Sequence, residues 1–175
     1  MRRLLLFRHS KSERPEPGGR DHARTLTERG RSDAETIGTY MARHALVPDR
    51  VLVSTVARAQ ETWKHLATAF RPAPAARSEQ RLYNATPQAI LDLHKDMPAA
   101  AGSVLVIGHN PGLQELAVML IASSDIEACE SLREKFPTSG LAIIDFAFDE
   151  WSKLHPHAGR LERFVSPKSL AAGPN

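Results

Sequence analysis

Val104-Leu105-Val106-Ile107 runs straight into Gly108-His109-Asn110-Pro111-Gly112, and Leu113, Leu116, Ala117, Leu120 and Ile121 then recur at helical spacing. Four consecutive apolar residues without polar alternation describe a strand covered on both faces. Asn110-Pro111 sets a capping residue before a proline, and proline suits a helix start because its missing N–H would be unpaired there anyway. The stretch predicts strand, tight turn and helix, the unit from which parallel sheets are assembled.

The unit repeats outward. Leu4 to Phe7 is a second buried strand, ending in Arg8-His9-Ser10, and Lys11 to Arg24 is a loop rich in Pro, Gly and charge. Thr25-Leu26-Thr27-Glu28 predicts a capping box with Thr25 as the cap. Ala34, Ile37, Gly38, Met41, Ala42 and Ala45 give the following helix one apolar face, and Pro48 closes it. Val51 to Val53 is a short strand followed by Ser54-Thr55-Val56-Ala57-Arg58, and Ala59, Trp63, Leu66, Ala67 and Phe70 mark the next helix. After a turn at Pro72 to Ala76, a weak strand runs toward Leu82. Thr86-Pro87 opens a third helix faced by Ile90, Leu93 and Met97 and stopped by Pro98. Ser123 to Gly140 is polar and irregular, with room for one short helix. Leu141 to Phe148 and Arg160 to Val165 predict a closing antiparallel hairpin across His155-Pro156-His157-Ala158-Gly159. The expected fold is α/β: a three-layer α/β/α sandwich with a mostly parallel sheet and a C-terminal antiparallel hairpin. One domain is expected over residues 1–175, with the tail after about residue 167 peripheral.

The 175 residues carry 23 Lys and Arg against 20 Asp and Glu, a net charge of +3, with 42% hydrophobic and 25% charged residues. That balance excludes a disordered chain, and no basic run of the kind nucleic-acid binders concentrate on one face is present. The single Cys129 cannot form an internal disulfide, which points to a reducing compartment. The apolar part of Met1 to Phe7 stops at Arg8, too soon for a signal peptide, and Leu116 to Ala122 is too short to span a bilayer. A cytoplasmic protein, with no nucleic-acid or membrane partner, is the expectation.

In a parallel sheet, ligands bind beyond the carboxyl ends of the strands. Three such ends carry Arg8-His9, Arg58 and His109. Two guanidiniums, two imidazoles and a helix start suit a tetrahedral dianion, since arginine offers paired planar donors and keeps its charge. Any one of these residues alone has an ordinary structural explanation; the argument rests on their joint placement at three strand ends.

These residues also carry a resemblance. Leu6-Phe7-Arg8-His9-Ser10 resembles the Arg-His-Gly signature of the histidine phosphatase superfamily, the phosphoglycerate-mutase-like fold. Leu26-Thr27-Glu28-Arg29-Gly30, Ser54 with Arg58-Ala59-Gln60-Glu61-Thr62, and Gly108-His109-Asn110-Pro111-Gly112 match further blocks of that family in order. Asp21, Arg24 and Leu82-Tyr83 resemble the small SixA-like phosphohistidine phosphatases in particular. The resemblance covers roughly the first 150 residues. It implies that His9 is the nucleophile and that Arg8, Arg58 and His109 bind the phosphoryl group, with Ser10 and Asn110 beside them as further substrate-binding residues. His9 should stay neutral beside two cations, and a backbone carbonyl should hold its other ring nitrogen. No metal and no cofactor is required.

Two departures from the family pattern matter. Ser10 stands where the family has glycine. Asn84 stands where many members have a glutamate that protonates the leaving group, two positions beyond a leucine. Glu79 lies earlier and is either a substitute acid or, as its position favours, a solvated charge at the strand end. A phosphate monoester must expel an alkoxide, whereas a phosphohistidine side chain leaves as neutral imidazole and needs less help. The short segments 82–103 and 122–141 leave little room for a lid. The expected activity is therefore removal of phosphate from phosphohistidine on a protein. The alternatives are a broad small-molecule phosphomonoesterase of the same fold and an inactive phosphate-binding module. His155 and His157 are read as an exposed turn, Trp63 and Trp151 as core residues, and Lys11 and Arg24 as pocket rim or solvated charge.

Overall fold

The structure, a computed structural model, describes residues 1–173; the last two residues of the predicted peripheral tail lie outside them. Seven strands form one sheet: β1 (Arg2–Arg8), β2 (Arg50–Ser54), β3 (Ala76–Glu79), β4 (Ser103–Gly108), β5 (Ile121–Ser124), β6 (Leu141–Phe146) and β7 (Gly159–Val165). The spatial order is β3-β2-β4-β1-β6-β7-β5. Only β6 runs against its neighbours, being antiparallel to both β1 and β7, while every other pairing is parallel. The helices are α1 (Glu28–Arg43), α2 (Ala57–Leu66), α3 (Pro87–Asp92), α4 (Gly112–Leu120), α5 (Ile126–Glu134) and α6 (Pro167–Ala171).

Side chains alternate across a strand, so the apolar run of β1 feeds two cores. Leu4 and Leu6 join Leu52, Val104, Val106 and Ile144 beneath Ile90, Leu113, Leu116 and Leu132, which come from α3, α4 and α5. Leu5 and Phe7 join Val51, Val53, Leu105 and Ile107 beneath Ile37, Met41, Ala59 and Leu66 from α1 and α2. Burial on both faces explains why β1 and β4 read as unbroken apolar runs. Leu170 of α6 packs against the second core, which ties down part of the tail.

Several local details differ from the sequence reading. The cap of α1 is Thr27, whose side chain accepts from Gly30 N–H, rather than Thr25. Leu26 is buried, and its N–H donates to Glu61 Oε2 at 2.6 Å, so the chain enters the helix two residues later. Ala45 is exposed and beyond the end of α1, at φ 54°. Ile121 begins an edge strand, β5, instead of extending α4. The edge strand pairs with β7 and its two central residues are polar or small, which is why it has no apolar signature. The irregular segment does hold one helix, α5, capped by Asp125. The connection from β6 to β7 spans 147–158 and includes a helical turn at Trp151–Lys153. It is longer than the predicted five-residue turn because Trp151 folds back into the core, donating to the Ala101 carbonyl at 2.7 Å.

Registers align Val53, Ile107, Phe7, Leu141 and Val165 in one row across five strands. The positions just past that row on the parallel strands are Ser54, Gly108, Arg8 and Ser166. One sheet edge therefore gathers the chemistry-bearing residues of distant sequence blocks.

Candidate active site

His9 follows the last residue of β1, and its N–H donates to the Gly108 carbonyl of β4 at 3.1 Å. Its ring is therefore carried by two adjacent strands rather than by a loop. His9 Nδ1 lies 2.8 Å from the Ser10 carbonyl, which can only accept, so the neutral ring carries its proton on Nδ1. Nε2 is left with the lone pair. The His109 ring lies 5.1 Å from the His9 ring, centroid to centroid. His109 Nε2 lies 2.7 Å from the hydroxyl of Ser54, at the end of β2. Arg8 donates to the Phe136 carbonyl at 2.9 Å. Arg58, in the first turn of α2, is 5% exposed and donates to the backbone carbonyl and the carboxylate of Asp21 at 2.9 and 3.1 Å.

Three buried nitrogens in this group, Arg8 Nε, Arg58 Nε and His109 Nδ1, have no hydrogen-bond partner among the described residues. The one other such side-chain atom is Arg2 Nε, at the far end of β1 beside Trp151. A buried polar nitrogen without a partner costs about 1–3 kcal/mol, so three such atoms on the residues of this edge, two of them guanidinium N–H donors, mark a place suited to an acceptor-rich group.

Electrostatics keep both imidazoles neutral. Burial first, and then the Arg58, Arg8 and Arg24 guanidiniums, push the His9 pKa down to about 4 against the Ser10 hydrogen bond. Burial, followed by His9 and Arg58, pushes His109 down to about 3. Desolvation thus outweighs the neighbouring cations that the sequence brought to attention. Asp21 is the counter-charge of the site: the Tyr83 hydroxyl, donating at 2.6 Å, and the Arg58 guanidinium hold its carboxyl down at about 2.

Ser10 and Asn110 lie next to the site, and their side chains hydrogen-bond within the protein. Ser10 is fully buried; its N–H donates to Thr62 Oγ1 at 3.0 Å and its hydroxyl meets Ser139 Oγ at 2.6 Å. A glycine here would lose the second bond, so the serine braces the turn after β1. Asn110 Oδ1 accepts from Gln114 N–H at 3.3 Å and its amide donates to the Phe136 carbonyl at 3.0 Å, tying the start of α4 to the carbonyl that holds Arg8. Glu79 is buried rather than solvated. It is 7% exposed, paired with Arg81 at 2.9 Å and Arg77 at 3.2 Å, and the Arg81 hydrogen bonds hold it ionised with a pKa of about 2. Asn84 stands at φ 51°, a left-handed conformation that asparagine tolerates well. Arg24 pairs with Asp21 at 2.9 Å. His155 and His157 are exposed as expected, and no group of three or more His, Cys, Asp or Glu forms a metal-ligand cluster among the described residues.

Sequence reasoning missed the roles of Ser54, Asp21, Thr62 and Ser139. The first three fall inside blocks that carry the resemblance, but only three dimensions show what they touch. Nothing in the sequence distinguishes Ser139.

The family model described as histidine phosphatase superfamily (branch 1) matches residues 4–85. An uncharacterised protein of Mycobacterium tuberculosis is 35% identical over 164 residues, covering 93% of this chain and 100% of the relative. The chain belongs to the histidine phosphatase superfamily. The proposed phosphohistidine phosphatase SixA from Agrobacterium tumefaciens shares this superfamily fold at TM-score 0.77 and 32% identity, covering 95% of this chain and 98% of its own. A proposed SixA from Nakamurella multipartitia reaches TM-score 0.82 at 27% identity, over 95% of this chain and 96% of its own. The superfamily fold explains the constellation. A mixed α/β sheet brings the Arg8-His9, Arg58 and His109 blocks to one edge, as in the phosphoglycerate-mutase-like fold.

Proposed function

We propose that this protein is a metal-independent phosphatase that removes phosphate from phosphohistidine on a protein through a covalent intermediate on His9. The observation that carries the reading is the trio of unpartnered donors, Arg8 Nε, Arg58 Nε and His109 Nδ1, around an imidazole whose tautomer leaves Nε2 nucleophilic. The P–N bond of the substrate breaks as the bond from phosphorus to His9 Nε2 forms, and the leaving imidazole takes a proton from solvent. The trio stabilises the equatorial oxygens, where charge is spread in the transition state. In the His109 tautomer that accepts from the Ser54 hydroxyl at Nε2, the proton sits on Nδ1 and His109 serves as a neutral donor. Water then attacks phosphorus and restores His9. A binding module would have no use for a nucleophile held in this tautomer.

Two further observations favour an N-phosphoryl substrate. Asp21, held ionised by the Tyr83 hydroxyl and Arg58, and Glu79, held ionised by Arg81, are poorly suited to donate a proton. The segment 122–141 is spent on β5 and α5, with Leu132 in the core, instead of a lid. The names of the solved SixA relatives point the same way. A substrate panel tests the reading. Phosphohistidine peptide and aryl phosphates with good leaving groups should turn over, and alkyl phosphates should be at least ~100-fold slower, the loss expected without a general acid. Alkyl phosphates hydrolysed at comparable rates would favour the small-molecule phosphomonoesterase.

A further inference from the structure

A groove of about 640 Å³ lies beside the catalytic edge, lined by residues that the reaction does not use. Its walls include Lys11, Arg29, Lys135 and Lys168, with Asp33 and Glu134. Arg29 stands 3.7 Å from Asp33, whereas Lys11, Lys135 and Lys168 have no carboxylate partner among the described residues. The groove is therefore cationic beyond what it neutralises internally. Pro137 and Thr138 also line it, immediately before Ser139, whose N–H donates to the Arg8 carbonyl at 3.0 Å. The groove and the nucleophile thus share one stretch of backbone.

Topology fixes the distance between them. β7 is parallel to β1 with β6 between, so Val165 and Ser166, which line the groove, leave the sheet at the same edge as Arg8 and His9. Two strand spacings amount to about 10 Å. About three residues of extended chain cover that span.

We infer that this groove is a docking subsite for an acidic segment of the phosphoprotein substrate, about three residues or more along the chain from the phosphorylated side chain. The inference rests on the proposed phosphohistidine activity. Unpaired lysines steer an acidic segment and hold it weakly, which suits a substrate that must leave after each turnover.

The test uses synthetic peptides with one central phosphohistidine and, from the third position outward, a run of Glu on the N-terminal side, on the C-terminal side, or Ser on both. At low salt one Glu peptide should show kcat/KM about tenfold above the Ser peptide, a gain typical of electrostatic steering. K135E/K168E should abolish that advantage and leave the Ser peptide within about twofold, because neither lysine touches the site. Binding of the same peptides, fluorescently labelled, to His9→Ala should rank them alike, so the groove is judged even without turnover. No turnover of the Ser phosphopeptide would refute the phosphohistidine reading. Equal binding of all three peptides, or an advantage that survives K135E/K168E, would refute the groove. Binding of a short oligouridylate lost in K135E/K168E, with no discrimination among peptides, would assign this face to nucleic acid and refute it too.

Discussion

At the scale of single residues, the site depends on two histidines kept neutral by burial. The sign of the pH dependence follows. An unfolded histidine titrates near 6.5, and the folded His9 and His109 near 4 and 3. Between pH 6.5 and 4 the unfolded chain binds more protons, so these groups stabilise the fold at neutral pH and that contribution is lost as pH falls through this window. Asp21 and Glu79, both held near 2, add stability that survives to about pH 4 and is lost only below it. NMR titration of the His9 ring should give a midpoint near 4, and the urea-unfolding free energy should fall between pH 7 and 4.5. A His9 midpoint near 6.5 would contradict the buried, neutral nucleophile. The residues themselves were legible in the sequence as strand-end charges and imidazoles. Their partners were not. Ser54, Asp21 and Ser139 reach the site from separate chain segments, and their hydrogen bonds exist only once the sheet has formed.

Elements hold these residues through close backbone contacts as well as apolar faces. A Cβ on Gly38 of α1 would stand 2.4 Å from the Leu66 carbonyl oxygen at the end of α2, the helix that carries Arg58. Gly38→Ala should therefore push the two helices apart and cost about 1–3 kcal/mol. For a chain of this length each kcal/mol lowers Tm by roughly 2–4 °C, so a calorimetric drop of about 5 °C is expected. An unchanged or raised Tm, as a gain in helix propensity alone would give, would show that the contact is not tight. Helix and strand identities were readable because β1, β2 and β4 are apolar on both faces and α1 to α4 carry periodic stripes. The edge strand β5 was not readable, since Ile121-Ala122-Ser123-Ser124 lacks an apolar signature and gains its identity only by pairing with β7. The start of α1 was misplaced by two residues because both Thr25 and Thr27 are good caps. The Leu26 amide, taken by Glu61, decides between them.

For the molecule as a whole, one sheet edge collects the proposed nucleophile His9, three unpartnered nitrogens and, two strands away, a cationic groove. The parallel arrangement of β1, β2, β4 and β7 makes this possible, because their carboxyl ends all point one way. Strand-helix alternation made that edge predictable, while the groove draws on α1, α5 and α6 and left no trace in any one segment. The central claim is that the phosphoryl group passes through His9. Wild type mixed with a labelled phosphoryl donor and quenched rapidly in alkali should carry one acid-labile, alkali-stable phosphoryl group, mapped to His9 by mass spectrometry. Arg58→Ala should label about 100-fold or more slowly, the usual cost of removing one oxyanion donor, and His9→Ala should not label at all. Labelling of His9→Ala at the wild-type level would contradict the account.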